Sequence, residues 1–480
     1  MVSYESFEPI LRVLPEVPRP LGRLPFRTRL LWTGIVLVIY LVMSQIPLYG
    51  IPWRAEYYQR LFFLQIVLAS RRGTLMELGI GPIVTSGLIW QILVGSRVIK
   101  IDLTSPRGRS LFTGLQKLFA IIFTFVEALA YILGGMYGAL STPTAIIVFA
   151  QLVSATLLLM LMDEMLQKGW GIGSGISLFI AAGVAQQIFW QLFSPLGPLM
   201  DGFYVGVIPS FVYAIVNATN TGNWDVLNKI VLRPYGLPDI TGLIATILLF
   251  AFLLYLENMR IEVPVAASRY GGIRTKIPFK FLYVSNVPVI LVSALFADIH
   301  IFSRLAWSRL NPNNQNQWFN FIAKYNITRG RELEPLPGCL VYYLSPPSGL
   351  LTVMEDPLRF IIYAALFVLL SVLFSIAWVE TSGMDPRSQA QQLVEAQLLI
   401  PGFRRSTRVI ASLLERYIPI LTIISGLVVG LIAVLSNLFG VLGTGIGLLL
   451  MIDIVLQYQG LIMQERILEM YPMLRRIVGK

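Results

Sequence analysis

The sequence predicts an all-α polytopic membrane protein: ten transmembrane helices in two inverted five-helix halves around a central pore. Three observations carry this. Of 480 residues, 56% are hydrophobic and only 13% charged, about half the charge of a soluble domain, and the mean hydropathy is +0.71. Ten apolar stretches have the length of a membrane span, roughly 20 residues. Glycine and proline marks recur at matching places in the two halves of the chain. The composition excludes a soluble globular protein, a disordered chain and a fibrous repeat.

The stretches run near 30–48, 78–96, 114–136, 143–162, 175–194, 242–259, 282–303, 358–379, 418–438 and 442–461. The first follows a basic 29-residue arm and lacks the small-residue exit of a cleavable signal. One further apolar run, Leu61 to Ala69, is too short to span and reads as a re-entrant or buried piece. Ten spans put both termini on one side. That side carries 25 of the 37 Lys and Arg residues, so the positive-inside rule makes both termini cytoplasmic. The net charge of +11 therefore gathers on the cytoplasmic face, with Glu127 and Asp453 as the acids read inside spans. The expected division is an N-terminal half at 1–200, an external connection at 201–241 and a C-terminal half at 242–480. A second long external loop covers 304–357. Asn217 and Asn326 open glycosylation-type triplets in these loops.

The repeat is visible in the residues. Pro82-Ile83-Val84 opens the second span of one half, and Pro288-Val289-Ile290 opens the second span of the other. The last span of each half begins with alternating glycines, Gly171, Gly173 and Gly175 in one and Gly443, Gly445 and Gly447 in the other. Five spans is an odd number, so the second half enters with opposite topology. This is the signature of channels and transporters that act at the interface of their repeats. The alternative is that Gly and Pro are simply common in membrane helices.

Polar groups inside spans are costly and tend to be functional. Thr85, Glu127, Asn286 and Asp453 are the candidates. Thr85 could instead bond to its own helix, and Asp453 could sit near the cytoplasmic interface. The broken positions are lined by aliphatics (Ile80, Val84, Ile176, Ile180 and Ile290), which suits a dewetted gate as well as ordinary packing. Cys339 and His300 are each the only residue of their kind. No disulfide within the chain is possible, and a Ser/His or Cys/His catalytic set is improbable in residue supply alone. No phosphate-binding glycine loop is present, so no nucleotide hydrolysis is expected. No cofactor is expected either, and the chain is not read as an enzyme. Arg404, Arg405 and Arg408 form a compact basic patch, either a docking surface or a topological signal.

Seven segments together resemble the SecY family, the channel subunits of the Sec protein translocase, and most closely its archaeal branch. They are LPEVPRPLGRLPFRTRLLWTGIVLVIYLVMSQIPLYG, ASRRGTLMELGIGPIVTSGLIWQILVGS, GWGIGSGISLFIAAGVAQQIFW, KIPFKFLYVSNVPVILVSALFA, YYLSPPSGL, AWVETSGMDPRS and VLGTGIGLLL. The resemblance implies a protein-conducting channel in the cell membrane of an archaeon. It passes unfolded polypeptides across and releases apolar segments sideways into lipid. It implies a pore ring of Ile80, Val84, Ile176, Ile180, Ile290 and Leu450. It implies a plug helix near residues 60–70 that includes Leu61, Phe62, Phe63, Leu64, Ile66 and Val67, and a lateral gate with Thr85, Glu127 and Asn286 as its polar cluster. It further implies ribosome docking through Arg269, Arg274, Lys276, Arg404 and Arg405. The implied partners are small membrane subunits resembling SecE and SecG or Sec-beta, the ribosome, signal sequences with their nascent chains, and membrane lipid. The segment SRYGGIRTK matches the family's basic loop only loosely, Asp453 is no recognised family feature, and loop 304–357 is longer than usual. A secondary transporter with inverted repeats is the rival reading, and a membrane-embedded transferase lacks an acidic or His cluster.

Overall fold

The computed structural model describes residues 14–22, 24–51, 71, 73–95, 98–99, 101, 105–134, 137–138, 140–197, 202–233, 237–267, 273–284, 286–325, 335–347, 349–395, 398–399 and 407–470. Ten helices correspond to the ten stretches: α1 (Phe26–Met43), α2 (Gly81–Gly95), α3 (Pro106–Leu133), α4 (Thr142–Met165), α5 (Gly175–Phe193), α6 (Ile240–Asn258), α7 (Val287–Leu310), α8 (Pro357–Thr381), α9 (Ile418–Leu438) and α10 (Gly445–Met470). Among the described residues nine are long and apolar enough to cross a membrane. The exception is α2, whose 15 residues reach only about 22 Å. The backbone before it runs as a buried loop held by Leu75 N–H donating to the Ile46 carbonyl (3.0 Å) and Leu48 N–H to that of Gly73 (2.9 Å). Gly79 turns the chain with φ +55°. Irregular backbone is tolerated at membrane depth where protein covers it, and α2 lies against α3, α7 and α8.

Local chemistry sets the helix starts. Ser105, Asp239 and Asp356 cap α3, α6 and α8 by accepting from Gly108, Gly242 and Arg359 N–H at 3.1, 2.6 and 3.1 Å. Prolines occupy the first turn of α3, α4, α7, α8 and α9, where no N–H is needed. The inverted halves lock reciprocally. Gly173 (φ +73°) packs on Tyr458 of α10, and Gly443 (φ +69°) packs on Ile188 of α5, each with no room for a Cβ. The Tyr458 hydroxyl donates to the Ser174 carbonyl (2.7 Å), and Gly443 N–H to Gln191 Oε1 (2.7 Å). Arg29 at the start of α1 pairs with Glu465 near the end of α10 (2.9 Å), so these two ends of the bundle share a face.

On that face the loop after α6 is a β-hairpin, an addition to the all-helical expectation. Strands β1 (Arg260–Ala267) and β2 (Ile273–Lys280) pair from Arg260 opposite Lys280 to Ala267 opposite Ile273. A short β3 (Leu398–Leu399) from the loop after α8 adds to β1. The two loops that the sequence assigns to docking thus share one sheet, in the order β2-β1-β3.

Candidate functional site

The six ring residues come from four helices and the turn before α2. Ile80 ends that turn, Val84 lies on α2, Ile176 and Ile180 on α5, Ile290 on α7 and Leu450 on α10. All six belong to one apolar cluster. Ile80, Ile180 and Leu450 are buried, and Val84, Ile176 and Ile290 are half-buried against them. Both halves contribute, so the cluster sits where the halves meet. Asp163 of α4 holds the ring-bearing end of α5: its carboxylate accepts the Ser174 hydroxyl (3.1 Å) and the Ile176 N–H (3.0 Å). A carboxylate at a helix N-terminus satisfies otherwise orphaned donors. Gly175 is required there because a Cβ would lie 2.7 Å from the Asp163 Cα.

The polar cluster differs from the expected trio. Thr85 is buried, and its hydroxyl donates to Asp298 of α7, at 3.0 Å from Oδ2 and 3.2 Å from Oδ1. It therefore does not bond back to its own helix. Glu127 of α3 is buried within electrostatic reach of Asp298, and its Oε1 has no hydrogen-bond partner. Asn286 does not join them. It precedes α7, twelve residues before Asp298, or about 18 Å along the helix. Asp298 takes the place assigned to Asn286. The signal for it is its position inside the apolar run 282–303. His300 is beside Ser345 (Nε2 to Oγ 3.4 Å), but that hydroxyl donates to the Val341 carbonyl (2.8 Å).

Asp453 lies on α10 beside the base of the hairpin. It is fully buried, one turn beyond Leu450. Its Oδ2 accepts from Gln457 (2.9 Å). Lys280, the last residue of β2, lies 3.6 Å from its Oδ1 and 3.3 Å from Glu257 Oε2. One cation from the hairpin thus serves two buried carboxylates, one on α6 and one on the ring helix α10. Glu257 and Asp298 join Glu127 and Asp453 as acids within spans.

Several expected residues lie outside the described ones: the plug residues Leu61, Phe62, Phe63, Leu64, Ile66 and Val67, together with Arg269, Arg404, Arg405 and Asn326. Arg274 and Lys276 are on β2, opposite Ala266 and Pro264. Asn217 is on the helix Val207–Thr221.

Residues 74–459 match the SecY family model, and residues 38–73 match that of the plug domain of Sec61p. The short apolar stretch at 61–69 falls inside the second match. The SecY translocase subunit of Saccharolobus solfataricus is 42% identical over the full length of both chains. That of Aeropyrum pernix is 41% identical over 97% of this chain and 96% of its own. A solved structure described as a protein-conducting channel superposes with a TM-score of 0.80 at 39% identity, covering 97% of this chain and 98% of that one. Sec61 in a canine ribosome-channel complex from the endoplasmic reticulum does so with a TM-score of 0.76, also at 39% identity and the same coverage. Family models, full-length relatives and fold agree: this multi-pass membrane chain belongs to the SecY family, the protein-conducting channel subunits of the protein translocase, and is not an enzyme.

Proposed function

We propose that the six-residue aliphatic cluster is the waist of the channel and that α2 and α3 part from α7 and α8 to release segments into lipid. The observation that carries this reading is the meeting of Ile80, Val84, Ile176, Ile180, Ile290 and Leu450, contributed by both halves, in one apolar cluster. A dry aliphatic constriction stops water and ions. The stretch at 61–67 then serves as the plug on its outer side. The face bearing the hairpin and both helix-bundle ends is cytoplasmic by its positive charge, in the cell membrane of an archaeon. The chain divides functionally at 1–200, 201–241 and 242–480.

Docking of the ribosome falls to the loops carrying Arg269, Arg274, Lys276, Arg404 and Arg405. Basic residues there offer ribosomal RNA phosphate contacts. The sheet shared by both loops supports one docking unit, and a related channel is described in complex with a ribosome. Small subunits resembling SecE and SecG or Sec-beta complete the assembly. Signal sequences are apolar helices, and they open the gate only insofar as they bind its open state better.

The Thr85–Asp298 bond spans the gate, beside Glu127. A polar contact between membrane helices stabilises by about 0.6–2 kcal/mol, enough to shift the closed population several-fold. Thr85→Val keeps the shape and removes the donor, so it weakens closure. The expected result in a graded-hydrophobicity insertion assay is that less apolar segments now exit into lipid, while Asp298→Asn, which can still accept, changes little. An unmoved threshold for Thr85→Val rules out this contact as part of the gate.

A further inference from the structure

The long loop between α7 and α8, opposite the hairpin face, carries a feature the channel reading does not use. A short helix, Gln317–Ile322, leaves Trp318 89% and Phe321 72% exposed, and Leu310 at the end of α7 is 70% exposed. Trp318, Phe321 and Ile322 lie at i, i+3 and i+4 and share one face. Phe319 points the other way, packing on the small core of Trp307, Tyr325 and Cys339.

This helix is mounted rigidly on the end of α7 by asparagines. Asn311 Nδ2 donates to Asn320 Oδ1 (2.7 Å), Asn320 Nδ2 to the Asn314 carbonyl (2.9 Å), and Asn316 N–H to Asn311 Oδ1 (3.0 Å). The Trp307 indole N–H donates to Asn314 Oδ1 (2.8 Å), tying the mount to the last turn of α7. The height of the mount follows from helix length. The 24 residues of α7 reach about 36 Å, a few ångströms more than the roughly 30 Å hydrocarbon layer. A helix of that length can carry Leu310 into the headgroup zone, and the exposed cation Arg309 lies beside it.

We propose that Trp318, Phe321 and Leu310 form a foot that inserts into the headgroup–acyl boundary of the membrane the spans cross, on the face opposite the hairpin. Tryptophan is the side chain most at home in that layer, the apolar face of a short surface helix buries shallowly there, and Arg309 can reach lipid phosphates. The asparagine mount keeps the foot at constant height, so the loop braces the mouth of α7 against lipid.

The single cysteine makes a clean test. In a Cys339→Ala background, Trp318→Cys carries an environment-sensitive fluorophore in the full chain, reconstituted into vesicles of phosphatidylcholine and phosphatidylglycerol. Leu248→Cys on the exposed face of α6 and Asn223→Cys in an exposed turn serve as lipid and water references. The expected result is strong quenching by a spin label placed shallowly on the lipid chain, severalfold above that at residue 223, with protection from aqueous iodide. Iodide access equal to that of residue 223 overturns the proposal. So does protection from both quenchers, which means a protein covers the foot. Phe321→Cys provides a second reporter on the same face if the first variant does not reconstitute.

Discussion

Ile180→Asn combined with Leu450→Asn is expected to make the resting channel leak ions. Both positions are buried in the cluster where the halves meet, at 1% and 0% exposure. A dry waist excludes ions because water gains nothing by entering it. An amide left unsatisfied there costs about 1–3 kcal/mol, and the least costly remedy is to admit water. Once water occupies the waist, ions follow. Ion flux from vesicles holding the double variant should rise several-fold over the parent without any translocating chain. The shape-preserving pair Ile180→Leu with Leu450→Ile should stay tight. Equal flux in all three proteins would place the barrier elsewhere.

Lys280→Met is expected to destabilise the fold. Lys280 lies beside both Glu257 and Asp453, whose side chains are 4% and 0% exposed. Removing one partner of a buried ion pair costs about 3–5 kcal/mol, because the remaining charge is stranded. Lys280 is itself 38% exposed, so the loss falls below that range. Adding Glu257→Gln and Asp453→Asn neutralises both carboxylates that Lys280 serves and should restore most of it. Thermal unfolding followed by tryptophan fluorescence in detergent checks both steps. A melting temperature untouched by Lys280→Met, or a triple variant weaker than the single one, contradicts the assignment. Asp453 is one turn from Leu450, so Lys280 links the hairpin to the helix that carries Leu450.

Much of this architecture is legible in the residues. The span count, the proline-marked starts of α7, α8 and α9, and the paired glycine runs opening α5 and α10 all follow from hydropathy, φ restriction and steric need. Five of the six clustered aliphatics, Ile80, Val84, Ile176, Ile180 and Ile290, are picked out by those breaks, whereas Leu450 follows only from the family resemblance; their meeting in one cluster comes from the structure. The gate is only partly legible. Asp298 was hidden because a stretch ending near 303 leaves it close to an interface, whereas α7 continues to Leu310 and carries it to mid-helix. Asn286, adjacent to a conspicuous proline, drew the assignment instead. Asp163 has the same history: it looks like the end of a span, yet caps α5 across the intervening turn. The hairpin after α6 is legible in part: Ile261, Val263 and Val265 alternate with Arg260, Glu262 and Pro264, and Ile273, Ile277 and Phe279 with Arg274, Pro278 and Lys280, but Pro264 and Pro278 argue against strands. Its third strand, β3, comes from more than a hundred residues away, and no local pattern encodes that contact.

The central claim, that polypeptide passes through the six-residue ring, is tested most directly by crosslinking. In the Cys339→Ala background a single cysteine is placed at Val84 or Ile290 in the ring, or at Val38 or Leu248, both exposed on the lipid side. A translocating chain with one cysteine is then arrested at successive lengths. Disulfide crosslinks should form from Val84→Cys and Ile290→Cys over the same narrow window of chain lengths, and not from Val38→Cys or Leu248→Cys. Crosslinks confined to the lipid-facing positions, or absent from the ring at every length, would contradict the account.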